Sequence, residues 1–199
     1  MSEMSEAVSS SWESRIFTGA RSHHAWLDKP VADELLEAIF DLAKWCPTSF
    51  NSMPMRVLFL KTEKERRKLI PALSGSNDQQ VRAAPITAII AYDEAFYDLL
   101  PELYPAFNAA ALFASNPLLS KESAFRNSSL QGAYLMLAAR ALGLDVGPMS
   151  GFDNKLVDQL FFHGTHWRSN FLCNIGFADH TKLYPRGPRL NFQEVCKIV

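Results

Sequence analysis

The sequence predicts a single α/β-type domain in which helices cover both faces of a central sheet. Three strongly apolar, strand-like segments alternate along the chain with segments of helical periodicity. One of them, APITAIIAY at 84–92, is apolar almost throughout, as expected when both faces of a sheet are covered. No internal repeat or linker divides the 199 residues, and 48% of them are hydrophobic, which is typical of a globular chain.

Residues 1–20 predict an N-terminal arm that ends in a short helix near 12–20, and residues 21–199 predict the single domain. The first residues carry glutamates and serines where a signal peptide needs positive charge and then an apolar core. No apolar run approaches the ~18 residues of a membrane span. We therefore expect a cytoplasmic protein with no membrane partner, and the net charge of −1 gives no general attraction to nucleic acid.

The elements of the first half follow one another closely. A helix is predicted over 31–45, after Lys29-Pro30, because its apolar residues form one stripe and two acidic residues lie in its first turn. The strand MRVLFLKT (55–62) comes next. Thr62 and Glu65 then form a capping box that opens a charged surface helix.

The second half is less regular at first. Residues 93–120 contain many aromatics and three prolines, and they predict short helices that form a lid or an excursion from the domain. The longest helix is predicted over 121–142, with Gly143 as its left-handed cap. Asp153 caps a helix through residue 162, SNFLCNIGFAD (169–179) is the third strand, and a short C-terminal helix is expected to turn Phe192 and Val195 inward.

The first polar cluster at an element boundary is RSHH (21–24). Arg21 followed by hydroxyl and imidazole donors is suited to a phosphate, although the segment is equally consistent with a solvated loop. Adjacent histidines make a poor metal pair, so we predict no metal site.

The second cluster is the loop CPTSFNSMP (46–54), which contains two prolines but no glycine and no charge. A solvated turn normally uses Gly, Asp or Lys. Ser49 and Asn51 are therefore candidates for a stiff rim that hydrogen-bonds a planar polar ligand. The alternative is an ordinary connection between a helix and a strand.

The remaining clusters are GLDVGPMSG (143–151) and YPRGPRL (184–190). The first lacks the Lys and Ser/Thr of a P-loop, and no G-x-G-x-x-G occurs, but its glycines permit backbone N–H groups to approach a ligand. In the second, Arg186 and Arg189 either solubilise the tail, or one of them folds back to hold the same anion as Arg21.

Several classes of site are not indicated. The three cysteines are widely spaced and predict reduced thiols, with neither a disulfide framework nor a zinc knuckle. No G-x-S-x-G elbow or H-E-x-x-H motif occurs. The chain thus offers no nucleophile or metal of its own, and its donors instead suggest a holder for an organic cofactor with a phosphate tail.

At this point the sequence resembles the FMN-dependent nitroreductase family, through the order of its motifs. These are Arg21-Ser22-His23, the loop Pro47–Pro54, Asn77 ahead of the second strand, residues 143–151 after a long Ala-rich helix, and Arg189-Leu190 followed by Glu194-Val195. The resemblance runs from about Arg21 to the C-terminal end.

The resemblance implies an α+β fold of three layers (α/β/α), with a mostly antiparallel central sheet and an intertwined homodimer. It also implies bound FMN at the subunit interface, NAD(P)H as co-substrate, and a loop 47–54 that lines the partner's flavin. The implied FMN-binding residues are Arg21, Ser22, His23, Ser49, Asn51, Asn77, Pro148, Met149, Ser150, Gly151 and Arg189. Because the flavin carries the chemistry, no side chain is assigned as catalytic.

Within the family, AFRNSS (124–129), GLDVGPMSGFD and the PRL tail resemble the malonic semialdehyde reductase (3-hydroxypropionate dehydrogenase) subfamily of pyrimidine degradation. This implies ping-pong hydride transfer from NAD(P)H, through the flavin, to a small-molecule acceptor. Arg56 and Arg126 are candidates for the acceptor's carboxylate, or else structural ion-pair partners. The alternatives are a nitroaromatic or quinone reductase of the same family, a flavin-binding protein without turnover, and an interaction protein without a cofactor.

Overall fold

The computed structural model describes residues 11–199, and the first part of the predicted N-terminal arm lies outside them. At the centre is a four-stranded sheet of β1 (Met55–Leu60), β2 (Ile86–Asp93), β3 (Asp145–Met149) and β4 (Trp167–Gly176). The strand order is β1-β2-β4-β3, and every neighbouring pair is antiparallel. The prediction of a mostly antiparallel sheet is confirmed, and β1 and β3 lie at opposite edges.

The structure has eight α-helices within this part of the chain. They are α1 (Asp33–Ala43), α2 (Glu63–Leu69), α3 (Asn77–Ala83), α4 (Leu100–Leu103), α5 (Ala109–Ala114), α6 (Pro117–Ala141), α7 (Asn154–Phe161) and α8 (Phe192–Val195). Both predicted cap residues accept hydrogen bonds, Thr62 from the Glu65 amide and Asp153 from the Leu156 amide. The Glu65 carboxylate pairs with Lys68, so the structure confirms the Thr62 half of the predicted capping box. Residues 12–18 form the predicted short helix, whose last five residues have π-helical bonding.

Two apolar cores lie on the two faces of the sheet. Ile90 of β2 packs into one core with α1 and α6, and Ile89 packs into the other with α2, α3 and α7. Because successive strand residues point to opposite faces, both cores require apolar residues in β2, which explains its unbroken apolar run. The three-layer α/β/α arrangement is confirmed.

Residues 93–120 form short helical segments around a third core that contains Phe96, Leu100 and Phe113. The prediction of short helices is confirmed. This excursion packs against the loop 47–54, because the Phe50 ring lies edge-on to those of Tyr104 and Phe113 at centroid distances of 5.4 and 5.8 Å.

Two predictions are wrong in this chain. The segment predicted as a glycine-rich loop contains strand β3, which tolerates Pro148 because β3 is an edge strand. Phe192 and Val195 do not turn inward but are 55% and 62% exposed, because the tail after residue 182 packs little against the domain. None of the helices in residues 11–199 is long and apolar enough to cross a membrane.

Candidate cofactor site

Four arginines line one cavity of about 660 Å³ near the two ends of the chain. They are Arg21, Arg140, Arg186 and Arg189, and Ser22 lies among them. Among the residues that the structure describes, none that lines this cavity is acidic. Guanidinium groups form strong, charge-assisted hydrogen bonds with phosphate oxygens. The structure thus brings together Arg21, Ser22 and Arg189, and the cavity that they share suits a phosphate group.

Hydrogen bonds between the two terminal segments, and others within the C-terminal one, hold this cavity in shape. The guanidinium of Arg21 donates to the carbonyl of Tyr184, and Arg186 donates from Nη2 to the carbonyl of Ala20 at 3.1 Å. Arg189 donates from Nη1 to the carbonyls of Gly187 and Pro188, at 3.0 and 2.9 Å. Each of these guanidiniums keeps further N–H donors, because the group has five.

The N-terminal segment is packed against β3. The His23 amide donates to the carbonyl of Val146 at 3.0 Å, and Ser22 forms a parallel bridge with Val146. A Cβ atom at Gly147 would lie 2.2 Å from the His23 carbonyl oxygen, a distance that a real Cβ does not reach. This approach requires glycine at 147, and it places Arg21 and Ser22 beside the start of β3.

Beyond Val146, the outer edge of β3 leads to the other predicted site residues. Pro148 and Ser150 are exposed and Met149 is half-buried. Asn77, the first residue of α3, donates from Nδ2 to the Gly151 carbonyl at 2.8 Å. A Cβ at Gly151 would lie 2.8 Å from that nitrogen. The structure thus brings Asn77 and residues 148–151 together along one edge of the sheet.

The loop 47–54 is fixed on the opposite side of the sheet. The Ser49 amide donates to Asn127 Oδ1 of α6 at 2.9 Å, and Asn51 donates from Nδ2 to the Leu103 carbonyl at 3.1 Å. Phe50, Asn51 and Met53 have positive φ angles of 54°, 49° and 41°. Such angles are uncommon outside glycine and persist where surrounding contacts hold them. The loop therefore has a defined shape.

The sheet order separates this loop from the arginine cavity of its own chain. The loop leads into β1, whereas Arg21, Ser22 and Asn77 lie with β3 and the residues after it. At the usual strand spacing, the two edges are about 14 Å apart. Ser49 and Asn51 line neither that cavity nor the one beside it.

His23 faces a neighbouring cavity of about 540 Å³, together with Asp145 and His180. Its Nε2 atom lies 3.2 Å from Asp145 Oδ1, and the side chain is 2% exposed. Burial lowers the pKa of His23 below its usual 6.5, and His180 and Arg21 act in the same direction, while the Asp145 carboxylate opposes them. The structure separates His23 from the cavity that Arg21 and Ser22 line.

The two arginines considered for the acceptor's carboxylate have partners of their own. Arg56 is a half-buried partner of Asp93 at 2.8 Å, and it also donates to the carbonyls of Met53 and Met55. Arg126 pairs with Glu122 one turn away on the surface of α6. The contacts of Arg56 and Arg126 therefore fit the alternative that both are structural ion-pair partners.

Sequence reasoning missed Arg140, Asp145 and His180. Arg140 lies in the last turn of α6, where a basic residue is ordinarily explained by the helix dipole. Asp145 lies in a segment that we predicted to be a loop, and His180 follows β4 without a motif around it. These three residues come together only through the fold. The local feature that could have indicated a role in the site was the position of Arg140 just before Gly143.

Comparisons with known proteins agree with this architecture. The nitroreductase family model matches residues 18–177. One similar solved structure is a protein from Exiguobacterium sibiricum described as a nitroreductase in complex with FMN, with 22% identity over 96% of this chain and 98% of that one, and a TM-score of 0.86. Another is a protein from Staphylococcus epidermidis described as an NAD(P)H:FMN oxidoreductase, with 19% identity, 96% of both chains covered and a TM-score of 0.82.

A third similar structure is an enone reductase of gut-bacterial fatty acid saturation, with 19% identity over 94% of this chain and 97% of that one, and a TM-score of 0.81. These three likenesses concern the fold alone. The family model, in contrast, is matched by the sequence itself over most of the chain, and the matched residues include Arg21, the loop 47–54, Asn77 and the whole sheet. The chain belongs to the nitroreductase family.

Proposed function

We propose that this protein is an FMN-dependent oxidoreductase that takes reducing equivalents from NADH or NADPH. The observation that carries the proposal is the arginine-lined cavity beside the β3 edge, in a chain of the nitroreductase family. The similar structures described as an FMN complex and as an NAD(P)H:FMN oxidoreductase support the choice of cofactor.

The donors present fit the parts of FMN. Arg21, Ser22 and Arg189 would hold the phosphate, and Arg140 and Arg186 line the same cavity. The edge from Pro148 to Gly151, braced by Asn77, would hold the ring system. Bound FMN would supply hydride chemistry that amino-acid side chains do not offer.

The chain's own contribution is binding, orientation and electrostatics. The guanidiniums fix the phosphate end and so set the position of everything attached to it. Backbone N–H groups near Met149 to Gly151 are positioned to stabilise negative charge on a bound ring. On this proposal no side chain of the protein forms a covalent bond with substrate.

The working form would be a homodimer. Large apolar side chains are exposed on α1 and α6 of the single chain, among them Leu42 (47%), Leu118 (82%) and Phe125 (50%). Exposed apolar surface of this kind marks an interaction site. A two-fold related copy could also bring its Ser49 and Asn51 to the β3 edge, which they do not reach within one chain.

For the acceptor, we propose malonic semialdehyde, which would be reduced to 3-hydroxypropionate in the cytoplasm. Support comes from the resemblance of AFRNSS and GLDVGPMSGFD to that subfamily. The contacts of Arg56 and Arg126 weaken their candidacy for the carboxylate. A nitroaromatic or quinone acceptor is the rival within the family.

An absorption spectrum tests the proposed FMN cofactor, and a comparison of acceptors then tests the proposed substrate. The purified protein should absorb blue light, with about one FMN per chain, and should oxidise NADH or NADPH. Malonic semialdehyde should then be reduced with a higher kcat/KM than propanal, which is a similar aldehyde without the carboxylate, and than nitrobenzoate or benzoquinone. A colourless protein that takes up no FMN would refute the FMN assignment. Colour without turnover would indicate a flavin-binding protein that is not an enzyme. A preference for nitrobenzoate or benzoquinone would refute malonic semialdehyde as the acceptor and leave the FMN assignment unchanged.

A further inference from the structure

Two histidines and one aspartate converge outside the arginine cavity. His23 Nε2 lies 3.2 Å from Asp145 Oδ1, and His180 Nε2 lies 3.1 Å from Asp145 Oδ2. One ligand atom from each of the three residues can be chosen so that all lie within 4.8 Å of one another. Each of the two imidazoles thus directs its Nε2 atom at the Asp145 carboxylate.

Three separate segments position these side chains. His23 is held by its backbone bond to Val146 and is almost fully buried. Asp145 begins β3 and pairs with Gly176 of β4. His180 lies in the turn after β4, and that turn is tied back by the Asp179 amide, which donates to the Ala25 carbonyl at 3.0 Å. The backbone thus fixes the N-terminal segment, the edge strand and the C-terminal turn around the cluster.

We propose that His23, Asp145 and His180 bind a first-row divalent cation of the Zn²⁺ type. This differs from the prediction of no metal site, which considered His23 only with its neighbour His24. Two imidazoles and one carboxylate form a donor set that suits Zn²⁺ and neighbouring transition metals and does not suit Mg²⁺ or Ca²⁺. Ligand atoms about 2.0–2.2 Å from a common ion lie roughly 3–3.5 Å apart. The two nitrogen–oxygen distances, one to each oxygen of Asp145, are already in that range, and the spread of up to 4.8 Å among the three ligand atoms must shorten when the ion binds. The 540 Å³ cavity next to the cluster leaves room for water to complete the coordination.

The charges around the cavity set the expected strength of binding. Arg15 and Arg140 line it as well, and their positive charge opposes a cation. Both are engaged with backbone carbonyls, since Arg15 donates to the carbonyl of Arg140 at 2.9 Å and Arg140 donates to that of Ile16 at 3.4 Å. We therefore expect weaker binding than in a dedicated zinc site. The proposal does not depend on FMN or on the reaction.

The test is calorimetric titration of Zn²⁺ into the full-length protein as purified, with Mg²⁺ titrated in parallel. We expect one Zn²⁺ site per chain and no Mg²⁺ site. His180→Ala should weaken Zn²⁺ binding by at least about 10–100-fold, because even the loss of a residue that only supports a metal ligand costs this much. This variant should fold, because the His180 side chain is 66% exposed. Its circular dichroism and thermal transition without metal verify that.

His163→Ala is the matched control. His163 and His166 are exposed and lie three residues apart, so they are the obvious place for adventitious binding. Unchanged affinity in His163→Ala together with the loss in His180→Ala supports the site. Loss in His163→Ala with none in His180→Ala would overturn it, and so would the absence of any Zn²⁺ heat in the wild-type protein. Because the readout is metal binding, it stays informative whether or not the protein is a flavin enzyme.

Discussion

Arg21 and Arg186 connect the two ends of the domain in opposite directions. Arg21, near the start, donates to the carbonyl of Tyr184, and Arg186, near the end, donates to the carbonyl of Ala20. Each bond places a guanidinium at the cavity that the two residues share with Arg140 and Arg189. The same contacts that fasten the C-terminal tail therefore also concentrate positive charge.

Arg189→Ala should weaken the retention of FMN. A hydrogen bond to a charged group contributes about 1.5–3 kcal/mol, so the dissociation constant should rise roughly 10–150-fold. The measurement is fluorescence of FMN released on dilution. The matched control is Arg126→Ala, which removes an exposed arginine paired within α6. Equal retention in both variants would remove Arg189 from the phosphate site.

Complementation between subunits tests the proposed homodimer and its proposed shared site. Asn51→Ala and Arg189→Ala homodimers should both lose activity. A heterodimer of the two should regain one intact site, because the defects would fall in the same composite site and leave the other unaltered. Purification through two different affinity tags and an NAD(P)H oxidation assay measure this. Failure of the heterodimer to exceed both parents would argue against a site built from two chains.

Arg56→Ala should destabilise the fold. It leaves Asp93 without its ion-pair partner at a position that is only 14% exposed, and the loss should be about 2–3 kcal/mol, somewhat less than for a fully buried pair. The thermal midpoint should fall by about 4–12 °C at this chain length. Arg126→Ala, an exposed pair, should change stability by less than about 1 kcal/mol. An unchanged midpoint with a raised KM for malonic semialdehyde would restore Arg56 as a substrate ligand.

Gly147→Ala should be disruptive for a different reason. The new methyl group would meet the backbone oxygen of His23, which cannot rotate away, so the N-terminal segment must move from β3. Overpacking of this kind costs about 1–3 kcal/mol, and the thermal midpoint reports it. The control is Gly187→Ala, where the nearest contact of the added Cβ is at 3.8 Å. Equal midpoints for the two variants would contradict the close approach.

The three thiols should differ in reactivity. Burial raises the pKa of Cys173 to about 12 and also raises the pKa of Cys46, whereas Cys196 is exposed. A disulfide reagent at pH 8 should therefore label about one thiol per native chain rapidly, and three after denaturation.

The Cys173 thiol also predicts a pH dependence of stability. The pKa of Cys173 in the folded protein lies above the ordinary 9.0. The contribution of this thiol to folding stability is therefore fully present below pH 9 and is lost as the pH rises toward 12. Cys173→Ala should have a shallower loss of stability in alkaline denaturant titrations than the wild type. Identical slopes would contradict the assigned pKa.

The sequence predicted strands β1, β2 and β4 because their long apolar runs are local features. It missed β3, in which two of the three interior positions, Gly147 and Pro148, are poor strand formers, because an edge position next to β4 overrides their propensity. The convergence of Arg21 with a tail arginine was one of two interpretations of the residues themselves, and the family resemblance then favoured Arg189. The roles of Arg140, Asp145 and His180 depend on three-dimensional packing that no local pattern records.

The arginine cavity draws on side chains from residue 16 to residue 189. During synthesis, a ribosome that has released the whole sheet would still retain two of the four guanidiniums, since Arg186 and Arg189 lie beyond β4. A nascent chain that stalls shortly after β4 would therefore carry all four strands with half of the positive charge at the cavity missing.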